Sequence, residues 1–205
     1  MRAMNGSAMP SATPSGTPPG TGEGCAPGTL AIVVLGGGAL LLIVFLAIGY
    51  LLPARWEASA STTLAAQPAD VFAYLDAPGG WRRWTPWPDS GLVAEGPRRG
   101  PGAAMRWTDP ELGSGVFRIT ETEAPVLVRY RVEVRGGRMV TEGSVRLTPA
   151  PDGATVVQWS ERSDFGRNPL MGYMARFLPR GQRAEMEKDL ARLRTLVESG
   201  ERPAP

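Results

Sequence analysis

Between Leu30 and Leu52 the chain runs for 23 residues without a charge, LAIVVLGGGALLLIVFLAIGYLL. As a helix it would be about 34 Å long, enough to cross a hydrocarbon core of about 30 Å. It has no polar face, so it does not suit the surface of a water-soluble core. Gly36, Gly37 and Gly38 would weaken a helix in water but are common in membrane helices. Tyr50 sits where an interfacial aromatic belongs, and Pro53 and Arg55 end the run. A signal peptide fits less well, although Ala58-Ser-Ala60 offers a small-x-small site. The run exceeds the ~7–15 residues of an apolar signal core, and its leader is long and almost uncharged. The expectation is an uncleaved single-pass anchor over residues 29–53, in contact with the lipid bilayer through Leu30 to Leu52. Arg2 lies on one side and Arg55, Arg82 and Arg83 on the other, which favours a cytoplasmic location for the residues C-terminal to the span.

This segment divides the chain. Residues 1–28 are rich in Ser, Thr, Pro, Gly and Ala, and their only bulky apolar residues are Met1, Met4 and Met9. Such a segment cannot bury enough apolar area to offset its ordering and reads as a disordered tail; Met4 and Met9 are alternative starts. Cys25 precedes the apolar run, so it cannot be a lipoprotein cysteine. Residues 54–200 carry the globular pattern, and 201–205 form a second tail.

Composition narrows the chemistry. There is no histidine, and Cys25 is the only cysteine. The usual neutral-pH base, the commonest metal ligand, thiolate sites and disulfides are all missing from the globular part. No metal and no cofactor is expected. With 22 Lys and Arg against 20 Asp and Glu, the net charge is +2 and no basic block is present. Nucleic acid is therefore not an expected partner, since phosphate binding needs cations clustered on one surface.

From Trp56 the periodicity is that of strands. Trp56–Ala65 is the first. Pro68 then starts a short helix with Val71, Phe72 and Leu75 at helical spacing, ended by Pro78-Gly-Gly80. A second short helix holds Trp81, Trp84 and Trp87, three of the chain's six tryptophans. Further strands cover 104–108, 115–123, 126–134, 138–148 and 155–162. Val126, Val128, Tyr130, Val132 and Val134 alternate with Leu127, Arg129, Arg131 and Glu133, as in a half-buried antiparallel strand. Phe117 and Ile119 share a face in the second of these strands; Thr155, Val157, Trp159 and Glu161 share one in the last. The end is helical, with one stripe of Leu170, Tyr173, Met174 and Phe177 and another of Met186, Leu190, Leu193 and Val197. Pro179-Arg-Gly181 between the stripes predicts a kink or break.

A strand, two short helices, about six antiparallel strands and a long C-terminal helix make an α+β, helix-grip pattern. Several pieces resemble the START-like (SRPBCC) superfamily in its polyketide cyclase/dehydrase branch. Ala66-Gln-Pro-Ala-Asp-Val-Phe72 resembles that family's first-helix start, and Trp81-Arg-Arg-Trp84-Thr-Pro-Trp87 its W-x-x-W-x-P-W segment. Gly113-Ser-Gly-Val-Phe-Arg-Ile-Thr120, Thr155-Val-Val-Gln-Trp159 and Asn168-Pro169 are similar to later landmarks. The resemblance covers about residues 56 to 199 and implies a curved sheet gripping the last helix, with an apolar cavity between them. Members bind lipids, polyketides, hormones or other hydrophobic molecules, and a few are cyclases or dehydratases. The N-terminal anchor resembles membrane-tethered members.

On this pattern a cavity would be lined by Phe117, Ile119, Tyr130, Val132 and Trp159 from the strands. Met174 and Phe177 would come from the helix, with Trp84 and Trp87 as a wall or gate near the mouth. The same residues also fit an ordinary packed core. Glu161 continues the inward face of Val157 and Trp159, where a carboxylate against an apolar cavity would gain a raised pKa and could act as acid or base. The commoner arrangement, and the one expected, is a solvated strand-end residue paired with Arg162 or another arginine. Tyr130 could donate its hydroxyl to a ligand, although a satisfied core tyrosine is commoner. Three readings stand open: a membrane-anchored domain binding a hydrophobic small molecule, a cyclase or dehydratase using Glu161 and Tyr130, and a protein-interaction module with a filled core.

Overall fold

Alternation sets the sheet. A computed structural model describes residues 27–111 and 113–200, so the tail readings for residues 1–26 and 201–205 lie outside the described residues. The first helix, α1, spans Pro27–Leu51 and starts inside the segment read as tail. It is long and apolar enough to cross a membrane, and its side chains from Ile32 onward are nearly all exposed. Leu42 onward belongs to the same compact unit as the sheet.

Seven strands come after it: β1 (Arg55–Leu64), β2 (Leu92–Glu95), β3 (Ala104–Asp109), β4 (Gly113–Glu123), β5 (Leu127–Val134), β6 (Met139–Pro149) and β7 (Thr155–Asp164). They form one antiparallel sheet in the order β1-β7-β6-β5-β4-β3-β2. Two short helices, α2 (Pro68–Phe72) and α3 (Pro78–Trp81), lie between β1 and β2 in the chain. A third, α4 (Pro169–Met174), precedes the long α5 (Leu178–Glu198). The architecture is the α+β helix grip: a curved sheet with the long C-terminal helix on its inner face.

The inner face holds the core. In β7, Thr155, Val157, Trp159, Glu161 and Ser163 are buried while their neighbours are not, which is the period of two in its simplest form. Met186, Leu190, Leu193 and Val197 are the buried stripe of α5 and join Phe117, Ile119, Val145 and Val157 in one cluster. A bulge between Ile119 and Glu121 shifts the β4–β5 register, and bulges increase local twist.

Local chemistry corrects the sequence expectations at five places. The second short helix ends at Trp81 and leaves Trp84 and Trp87 in the turn and loop that follow. Pro78, Gly79 and Gly80 do not end α2; they begin α3, because proline's missing N–H costs nothing in a helix's first turn. β2 was not foreseen, since four residues between Gly91 and Gly96 carry too little pattern. Val126 is not in β5; it lies in the turn after Pro125 and is exposed. The break expected at Pro179-Arg-Gly181 is present but falls just before it, and Pro179 itself sits in the first turn of α5. The chain breaks before it, at residues 175–177, so the stripe of Leu170, Met174 and Phe177 runs out of phase with α5 and stands exposed.

Candidate functional site

The site begins with a missing side chain. Across β5, β6 and β7, Tyr130 pairs with Gly143, and Gly143 pairs with Glu161. All three are buried on the same face. A Cβ built on Gly143 would collide with the phenol end of the Tyr130 side chain. The bare glycine lets the ring lie across β6, so that its hydroxyl reaches the next strand but one. There Tyr130 Oη donates to Glu161 Oε1. Trp159 Nε1 donates to Tyr130 Oη at 2.7 Å, and Gln182 Nε2 of α5 donates to Glu161 Oε2 at 2.6 Å. Gly115 repeats the device at the other end, where a Cβ would strike the Trp107 ring opposite it on β3.

Glu161 is therefore not the solvated strand-end residue expected. It is 8% exposed, and Arg162 points the other way, to Glu142. The correction is one of strand length: β7 continues to Asp164, so position 161 keeps the inward phase. Burial raises the Glu161 pKa; the hydrogen bonds from Tyr130 and Gln182 oppose the rise, and Asp189 adds to it. Burial and then the Glu161 carboxylate push the Tyr130 hydroxyl well above its ordinary value. Asp189 of α5 is buried as well, and burial carries its pKa up to about 6 against the pull of Arg192. Arg192 Nη1 donates to Asp189 Oδ1 at 2.6 Å.

These groups face an open pocket of about 360 Å³. Its walls are aromatic, with Trp81, Trp87, Trp107, Phe117, Tyr130 and Trp159 around the cavity. Val132 and Val134 add apolar area, and Glu161, Gln182 and Asp189 supply the polar end. Trp81 is the keystone of the wall. Its ring lies 4.7 Å from Trp84, 4.7 Å from Tyr130 and 5.1 Å from Phe117, and its indole N–H donates to the Leu75 carbonyl at 2.7 Å. Trp87 stands half-buried over Phe117 at 5.7 Å and Trp107 at 5.9 Å.

Of the residues named from sequence, Trp87, Phe117, Tyr130, Val132, Trp159 and Glu161 meet at this pocket. Trp84 and Ile119 do not line it: both are sealed in the core behind it. Met174 and Phe177 do not line it either. They stand on the exposed stripe of α4 and the turn after it, and Phe177 is 69% exposed. α5 contributes Gln182 and Asp189 in their place. Sequence reading missed both, along with Trp107 and Gly143. The signal for the helix pair was their seven-residue spacing, two turns on one face. No cluster of His, Cys, Asp and Glu able to hold a metal occurs among the described residues.

A family model described as "Polyketide cyclase / dehydrase and lipid transport" matches residues 55–198. No curated protein matches the chain. Among solved structures, the chain is similar to a point mutant of norcoclaurine synthase from Thalictrum flavum in complex with a transition-state analogue. The TM-score is 0.55 at 16% identity, over 72% of this chain and 96% of that one. It is also similar to StfQ, a di-domain ARO/CYC from the steffimycin biosynthetic pathway (0.52, 17% identity, 71% of this chain and 51% of that one). A third is DynU16, a protein in the dynemicin biosynthetic locus (0.50, 17% identity, 72% and 48%). The chain spans about half the length of these last two. At such identities the likeness is one of fold.

Proposed function

This chain belongs to the polyketide cyclase/dehydrase and lipid transport family, and on that premise we propose that it is a membrane-tethered domain that binds a hydrophobic small molecule in the aromatic pocket. The observation that carries the reading is the pocket itself: about 360 Å³, walled by tryptophan and phenylalanine, with polar groups gathered at one end. Ligand sites are typically ~300–1,000 Å³ and mostly apolar, with a few placed polar groups. A filled interaction module would have no use for that space.

The tether rests on α1, an apolar helix with exposed side chains. Support also comes from its C-terminal half. Phe45 stacks on Tyr173 of α4 at 4.5 Å, the Tyr173 hydroxyl donates to the Phe45 carbonyl at 2.7 Å, and Arg167 lies over the Tyr50 ring. Beside them Leu170, Met174 and Phe177 expose apolar area, as expected of a surface facing lipid. The positive residues after the span favour a cytoplasmic domain; a reporter fused after Pro205 and active only outside the cytoplasm would overturn that orientation.

The test of binding is native mass spectrometry of the full chain released from nanodiscs. An apolar adduct is expected, and Val132→Trp, which fills the pocket, should abolish it. Repeatedly empty protein, with no saturable quenching of tryptophan fluorescence by naphthalene, would defeat the reading.

A second reading is favoured by one specific observation: a buried carboxyl with a raised pKa, hydrogen-bonded to a tyrosine, at the pocket's polar end. That is the arrangement of a general acid or base. Glu161 would exchange a proton with the ligand while Tyr130 holds the carboxyl in place. Glu161→Gln should then abolish conversion of the recovered ligand even at saturating ligand concentration; unchanged conversion would exclude the role.

A further inference from the structure

The pocket's polar atoms have an uneven inventory. Nearly every donor on its wall is already used within the protein. The Trp81 indole N–H goes to Leu75, that of Trp87 to Thr85 Oγ1 at 2.8 Å, and that of Trp159 to Tyr130. The Thr85 hydroxyl goes to the Trp81 carbonyl and the Tyr130 hydroxyl to Glu161. Among the described side chains that line the pocket, the donors left over are the Trp107 indole and the second amide hydrogen of Gln182. Acceptors are in surplus. Each Glu161 oxygen takes one hydrogen bond and keeps a lone pair, since an ionised carboxylate offers about four acceptor positions. Asp189 Oδ2 is unengaged, because Arg192 takes Oδ1.

The charge inventory leans the same way. The chain carries 22 Lys and Arg, and none of them lines this pocket, whereas two carboxyl groups do. The groups facing Glu161 are Tyr130, Gln182 and Asp189; those facing Asp189 are Arg192, Glu185 and Lys188. Both cations near Asp189 sit on its own helix, outside the cavity lining. An anionic ligand would find no counter-ion in the cavity and two groups that repel it. An ammonium group would find free carboxylate lone pairs and the faces of several aromatic rings, which attract cations.

We infer that the pocket selects a compact aromatic molecule bearing an ammonium group, the ring seated among Trp87, Trp107 and Phe117 and the ammonium directed at Glu161 and Asp189. This inference rests on the reading of the pocket as a ligand site, and deepens it by naming the ligand's chemistry. The volume lies at the small end of the ~300–1,000 Å³ range, which suits a ligand of few rings.

The test uses three probes of matched shape: 2-phenylethylamine, 2-phenylethanol and 3-phenylpropionate. Each is titrated calorimetrically into the full chain in nanodiscs at pH 8, with empty nanodiscs subtracted. The amine is expected to bind about tenfold or more tighter than the carboxylate, with the alcohol between, as charge-assisted hydrogen bonds require. Glu161→Gln should erase most of the amine's advantage over the alcohol while leaving the alcohol's own affinity within about threefold. Asp189→Asn is the second variant should the first fail to fold, and it should reduce the same advantage. A carboxylate that binds as well as the amine would overturn the inference while keeping the pocket as a binding site. So would an amine preference that survives both variants. Failure of all three probes to bind would defeat the binding reading, and the inference with it.

Discussion

Glu142 and Glu161 lie at neighbouring positions of adjacent strands, yet they face opposite worlds. Glu142 pairs in register with Arg162, and Glu161 pairs with Gly143. On the outer face Glu142 meets two arginines, Arg131 at 3.4 Å and Arg162 at 2.7 Å, all substantially exposed. On the inner face Glu161 meets a tyrosine and an amide and is buried. One residue of strand phase separates a solvated ion-pair ladder from a carboxyl whose charge is resisted by its surroundings. The pleat creates this difference. Charge on the outer face contributes little to stability because water and salt screen it. Charge on the inner face has larger consequences because burial leaves little water to screen it.

Packing gives the largest contrast. Trp159→Ala on the inner face should cost about 3–5 kcal/mol, the range for truncating a large core aromatic. Ser160→Ala, the next residue and on the outer face, should stay within about 0.5 kcal/mol. Urea denaturation of the full chain in detergent reads both. Similar losses at the two positions would break the distinction between the faces.

Gly143→Ala should rank next. The added methyl must displace the Tyr130 ring from the space above β6, and overpacking of this kind costs about 1–3 kcal/mol. It should also break the contact between Tyr130 and Glu161. Measured by the same denaturation, a neutral outcome would mean that the ring does not need the bare glycine.

Acid titration sharpens the comparison through its sign. Glu161 and Asp189 have pKa values raised above the ordinary 4.5 and 3.8, Asp189 to about 6. Each binds its proton more tightly folded than unfolded, so its contribution to stability is fully present below the ordinary value and is lost as pH rises through the folded value. Exposed carboxyls behave in the opposite way. The Gly166 backbone N–H and Arg55 lower the pKa of Asp164, and Arg106 lowers that of Glu95. Their contribution is present above the ordinary value and disappears as pH falls through the folded value. Asp189→Asn should therefore flatten the fall in Tm between pH 4 and pH 8, whereas Asp164→Asn should leave that interval unchanged. A Tm profile unaltered by Asp189→Asn would show that the buried carboxyl carries no such linkage.

The alternation that separates the two faces was legible in the sequence wherever a strand was long. Thr155, Val157, Trp159 and Glu161 fell on one face because β7 keeps its period without interruption, and Met186, Leu190, Leu193 and Val197 did so on α5. What could not be read was register. Tyr130, Gly143 and Glu161 are far apart in sequence, and period alone does not say which rows of neighbouring strands oppose one another. Gly143 therefore carries no signal of its own in the sequence, and the tyrosine crossing over it stays hidden until the register is known. Met174 and Phe177 were misplaced for a related reason. A kink or break between the two stripes is legible at Pro179-Arg-Gly181. The break, at residues 175–177, also resets the helical phase, so the first stripe does not share the inward face of α5. Gln182 and Asp189 were passed over because polar residues on an amphipathic helix usually mark its wet side; here that face overhangs the pocket.

The smallest expected effect tests the outer face itself. Arg162→Ala removes both hydrogen bonds from the arginine to Glu142 Oε2 and leaves Arg131 within reach of the same carboxylate. Exposed pairs of this kind are worth about 0.2–1 kcal/mol, and a remaining partner reduces the loss further. Raising the salt to 1 M shortens the Debye length to about 3 Å and should abolish what difference remains. Denaturation midpoints of the two proteins at low and high salt read this directly. A loss comparable to that of Trp159→Ala, or one indifferent to salt, would mean that the outer ladder is structural in the way the inner face is, and the two sides of the sheet would no longer differ in kind.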